Sequence, residues 1–130
     1  MSDPAALNFT LGWVAMLAGL ISGAAIGLYF HDEDWLGGYG SYQRRMLRLG
    51  HLALFALGII NVLFALSTVA KPIPDLNLRV ASLGLMVGVV AMPTCCFLTA
   101  WRKGFRHAFP IPVLAVLTGL LALLLVWLTP

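Results

Sequence analysis

RRMLRLGHLALFALGIINVLFALS, residues 44–67, opens with three arginines in five positions, Arg44, Arg45 and Arg48. It then runs apolar to Ser67 with two strongly polar side chains, His51 and Asn61. A helix crossing about 30 Å of hydrocarbon needs roughly 20 predominantly apolar residues. Basic side chains at one end hold that end among the headgroups of the cytoplasmic leaflet. The segment therefore reads as a transmembrane helix, and it gives the rest of the chain a reference side.

The composition agrees. Of 130 residues, 61% are hydrophobic and 10% are charged, against about 25% charged in an ordinary soluble domain. Mean hydropathy is +0.94. A small soluble fold buries only about two-thirds of its chain surface, too little to hide this many apolar side chains. The net charge of +3 does not point to nucleic acid, because the basic residues stand at the ends of apolar runs. Cys95 and Cys96 are adjacent inside such a run. Vicinal cysteines are poorly placed to bridge, and there is no CxxC motif for thiol exchange.

Working outward, the apolar runs predict spans at 10–30, 49–69, 80–100 and 110–128. The fold class that follows is an all-α membrane protein: an antiparallel four-transmembrane-helix bundle with short loops, one integral domain over 1–130. Residues 1–9 hold no lysine or arginine, so the first run reads as a retained span and not as a signal peptide. Between the first two spans lie the acidic triplet Asp32, Glu33 and Asp34 and then Gly37, Gly38 and Gly40, which suit a flexible connector or a short re-entrant turn. Pro72 and Pro74 separate the second span from the third. Pro93 lies inside the third span and is expected to kink it. Pro110 and Pro112 suit the start of the fourth.

The connectors at 31–48 and 101–109 carry six of the eight lysines and arginines: Arg44, Arg45, Arg48, Arg102, Lys103 and Arg106. Lys71 and Arg79 fall on the other side. The positive-inside rule then places both termini outside and the arginine-rich loops in the cytoplasm, in a bacterial inner (cytoplasmic) membrane. The six basic residues are expected to meet the headgroups of anionic lipids; haem propionates or an acidic partner surface are the alternatives. The acidic triplet is expected to neutralise the nearby arginines, in preference to binding a hard cation with His31.

Two spans carry small residues in helical register. Ala15, Gly19, Gly23 and Gly27 recur every four residues, and Gly84 and Gly88 do so with Ala81 nearby and Ala91 beyond. Such faces let helix backbones approach closely, which lipid cannot imitate. Asn61 wants an interhelical hydrogen-bond partner, and His51, Leu54, Gly58, Asn61 and Ala65 share one stripe that should face protein.

Candidate chemistry centres on His51, with His107 as a second imidazole. Together they form a candidate axial pair for haem b or a metal, with Cys95 and Cys96 as further soft ligands. The competing reading of His51 is an interfacial histidine bonded to a neighbouring helix. No HxxxH spacing occurs, no Asp or Glu lies inside a span, and there is no HExxH motif, nucleophile motif or phosphate loop. Enzymatic activity is therefore not expected. The leading expectation is a small non-catalytic integral subunit that packs against other membrane proteins in a larger assembly, respiratory or photosynthetic, or against its own copies. The alternatives are a haem- or metal-binding electron-transfer subunit using His51 and His107, and a small oligomeric channel or transporter.

Overall fold

The computed structural model describes residues 3–129. It is all-helical: α1 spans Asp3–Leu28, α2 Tyr42–Ala70, α3 Asp75–Trp101 and α4 Pro110–Leu128. All four are long and apolar enough to cross a membrane. Three begin earlier than the apolar runs suggest. The apolar run measures the hydrocarbon, whereas a helix can continue beyond it. The Ser41 hydroxyl accepts from the Arg44 amide at 3.2 Å and starts α2, so Arg44, Arg45 and Arg48 sit on helix and not on a loop.

The helices form an open arrangement. α1 packs on α2, α2 on α3, and α3 on α4; α1 also reaches α3. One apolar cluster holds Phe64, Ala81, Leu85 and Ala122, and a second holds Ala15, Leu57 and Val89. The outward surface is inverted relative to a soluble protein. On α1 the buried apolar side chains are Ala5 and Ala15, while Leu7, Trp13, Leu17, Leu20 and Ile21 are exposed. On α4, Leu114, Leu117, Leu121 and Leu124 are exposed. An apolar surface this continuous needs the bilayer as its solvent.

Backbones meet where side chains are missing. A Cβ added to Gly12 would lie 2.7 Å from the Gly58 carbonyl oxygen, and one added to Gly58 would lie 2.8 Å from that of Gly12. Between α3 and α4, a Cβ on Gly84 would strike the Ala115 carbonyl and the Gly119 backbone, and one on Gly88 would strike the Val116 side chain. α4 is also tied at its C-terminal end. The Lys71 ammonium donates to the carbonyls of Val126 at 2.7 Å and Thr129 at 3.0 Å, and the Asn77 amide to that of Ala122 at 2.9 Å. Cations at a helix C-terminus satisfy carbonyls that have no intrahelical donor. α3 runs without interruption through the buried Pro93.

The connector between α1 and α2 is a defined turn. It contains a 3-10 turn at Trp35–Gly37, and Leu36, Gly37 and Gly38 have φ values of 52°, 82° and 88°. Glycine takes that region freely; Leu36 does not. Arg44 holds the turn in place. Its side chain is 2% exposed, and its guanidinium donates to the carbonyls of Trp35 and Asp32 and lies 5.3 Å from the Trp35 ring centroid.

Candidate functional site

Two sets of polar residues lie within the helix contacts. The deeper one joins three helices. Asn8 and Asn61 are fully buried and Ser82 is 1% exposed. The Asn8 amide donates to Asn61 Oδ1 at 2.6 Å and to the Ser82 carbonyl at 3.3 Å, and the Ser82 hydroxyl donates to Asn8 Oδ1 at 2.5 Å. The Asn61 amide donates to the carbonyls of Leu57 at 2.8 Å and Leu85 at 3.2 Å. Each amide group thus has a partner, as burial away from water requires. Asn61 does find the interhelical partner expected of it. Asn8 and Ser82 were not anticipated from the sequence. Asn8 lies just outside the apolar run, and only the earlier start of α1 brings it in. The stripe through Asn61 faces protein: Gly58, Asn61 and Ala65 are buried, and His51 and Leu54 half-buried.

His51 is placed by α1. A carbonyl can only accept, so the 2.7 Å contact between His51 Nδ1 and the Gly19 carbonyl puts the proton on Nδ1. The Cε1 side of the ring lies against Gly23. A Cβ there would be 2.8 Å from Nδ1 and 3.0 Å from Nε2. Nδ1 is committed to the α1 backbone, while Nε2 has no partner among the described residues and is not buried. His107 is exposed on the 3-10 segment Lys103–Ala108, which packs on α3 and α4. That segment makes no close backbone contact with α2, which carries His51, although Lys103 reaches the Tyr42 ring. Cys95 and Cys96 are buried free thiols on α3. Among the described residues, no three of His, Cys, Asp and Glu are grouped to hold a metal ion. His31 Nδ1 bonds to the Leu28 carbonyl at 2.7 Å at the end of α1.

The glycine faces divide. Gly19 lies against the Phe55 backbone and Gly23 against His51, so both serve close approach of α1 and α2. Gly84 and Gly88 do the same for α3 and α4. Gly27 does not: nothing lies within 4 Å of a Cβ placed there. Gly12 and Gly119, not anticipated, make closer contacts than Gly27. Gly12 stands seven and eleven residues before Gly19 and Gly23, a spacing that keeps all three on one side of a helix.

The basic residues also divide. Arg44 differs from the other five: two backbone carbonyls of the connector turn take its Nε and Nη2 and its side chain is buried, so it does not stand open to the bulk headgroups as Arg45 does. The acidic triplet does not accept from it, and Asp32 Oδ1 takes the Asp34 amide at 3.1 Å instead. Arg45 is exposed; Arg48 is half-buried and lies 4.4 Å from the Tyr39 ring centroid. Arg102, Lys103 and Arg106 are exposed, Lys103 lying 5.6 Å from the Tyr42 ring. These five remain available to headgroups. Compared with family models, with curated proteins and with solved structures, the chain matches none.

Proposed function

We propose that the chain is a non-catalytic integral membrane subunit whose role is to pack against other membrane proteins in a larger assembly. The observation that carries this reading is how the polar side chains within the helix contacts are used. Asn8, Asn61, Ser82 and the Nδ1 of His51 are bonded to groups of neighbouring helices. A substrate-binding or ion-conducting site keeps polar groups free for its cargo; these four tie helices together, and among the described residues the Thr99 hydroxyl is the one buried side-chain oxygen without a partner. The open arrangement fits the same role, since α4 packs on α3 and leaves the leucines of its far side uncovered.

The orientation that accompanies this proposal has both termini outside and Arg45, Arg48, Arg102, Lys103 and Arg106 at anionic headgroups of the cytoplasmic leaflet. Extraction of the tagged chain in a mild detergent, followed by native gel electrophoresis and mass spectrometry, tests the role. The expected result is a particle of defined stoichiometry containing other membrane proteins. A chain that runs alone at 14.0 kDa plus its detergent, from membranes where it is made at natural levels, would overturn it.

A further inference from the structure

Where α1 ends and α2 begins, a recess of about 470 Å³ is lined by Phe30, Glu33, Asp34, Tyr39 and Arg44. It holds both signs of charge. Arg44 is 98% buried by its 2% exposure, and its Nε and Nη2 are taken by backbone carbonyls. Carbonyls satisfy donors but do not neutralise a charge. Nη1 has no acceptor among the described residues and is not shut away from the surface, so a ligand can reach it. Glu33 and Asp34 are exposed, and no side chain donates to their carboxylates among the described residues. The rings of Phe30 and Tyr39 form an aromatic wall, with centroids 6.3 Å apart.

A buried cation, two free carboxylates and an aromatic wall in one recess at the membrane's edge define a narrow ligand chemistry. A phosphate accepts charge-assisted bonds from a guanidinium. A primary ammonium donates to carboxylates and is attracted to an aromatic face. A purely anionic headgroup would meet repulsion from Glu33 and Asp34. A choline headgroup has no N–H to donate to them.

We infer that this recess binds a phosphoethanolamine group, with the phosphate at Arg44 and the amine at Glu33, Asp34 and Tyr39. Its source is either the headgroup of an aminophospholipid or the free compound. The inference goes beyond the subunit role and does not depend on it. The neighbouring groove of Tyr39, Arg45, Arg48, Leu49 and Leu52 carries only positive charge and serves as the internal contrast.

The test is native mass spectrometry of the purified full chain with phosphatidylethanolamine, phosphatidylcholine and phosphatidylglycerol added singly, together with calorimetric titration of free phosphoethanolamine. Wild type is expected to retain phosphatidylethanolamine about tenfold better than phosphatidylcholine, the scale of one charge-assisted hydrogen bond. Glu33→Gln with Asp34→Asn is expected to erase that preference; both side chains are exposed, so the fold should persist, as circular dichroism would check. Arg45→Gln with Arg48→Gln is expected to keep it while losing phosphatidylglycerol. Lipid preference without binding of the free compound assigns the membrane source, and binding of the free compound without lipid preference assigns the soluble one. Equal retention of all three lipids with no binding of free phosphoethanolamine would overturn the inference, as would a preference unchanged by Glu33→Gln with Asp34→Asn.

Discussion

The side-chain amide of Asn8 donates to the amide oxygen of Asn61, 2.6 Å away and 53 residues later in the chain. The bond joins α1 to α2 away from water, and the Ser82 hydroxyl completes it from α3 through Asn8 Oδ1. Removing one member leaves the others as unpaired polar groups in an apolar surround, which costs about 1–3 kcal/mol in a buried site. Measured interhelical bonds in membranes average nearer ~0.6 kcal/mol.

Asn8→Ala is therefore expected to destabilise the protein by about 1–2 kcal/mol in a detergent unfolding titration. The double variant with Asn61→Ala should cost less than the sum of the two single changes. Additive costs would show that the two amides do not act as a pair.

Gly12→Leu is expected to prevent close packing of α1 on α2, because its Cβ would meet the Gly58 backbone and the Val62 side chain. Backbone cannot swing away as a long side chain can. Gly27→Leu should behave like wild type, since nothing lies within 4 Å of its Cβ. Leu20→Ala should also be mild, with Leu20 63% exposed. Yields of monodisperse folded protein check all three. A Gly27→Leu variant as damaged as Gly12→Leu would mean that another protein covers Gly27.

His51→Ala is expected to insert normally and to lose about 1 kcal/mol, the value of one hydrogen bond. The absorption spectrum of the purified wild type should contain no Soret band that depends on this residue. Stoichiometric haem that disappears in His51→Ala would restore the electron-transfer reading.

Gly104→Cys tests the orientation. Gly104 is exposed with open space around it, and the native Cys95 and Cys96 are buried. A membrane-impermeant maleimide should label Gly104→Cys only after the inner face is opened. Labelling from outside intact cells would reverse the topology.

Span number and the identity of the bilayer as solvent were legible in the sequence, because each depends on local composition summed over some twenty residues. The apolar runs marked the four helices, although they placed the starts of α1, α2 and α3 late. Asn61 was readable as a residue in need of a partner, since its desolvation cost depends only on lying within an apolar run.

What the sequence could not supply was the partner of each group. Arg44, Arg45 and Arg48 look alike in a string, but the turn at Leu36, Gly37 and Gly38 carries the carbonyls of Asp32 and Trp35 onto Arg44 alone. Gly27 continues the four-residue repeat, yet nothing lies within 4 Å of its Cβ position, because contact depends on where the neighbouring helix lies and not on the repeat. His51 offers two imidazole nitrogens in the string, and only α1 laid against it shows that Nδ1 goes to the Gly19 carbonyl. Composition and periodicity, read from the chain by itself, determined the solvent and the elements. Only the tertiary structure decided which polar groups are consumed in holding helices together and which remain free, because those contacts join residues dozens of positions apart.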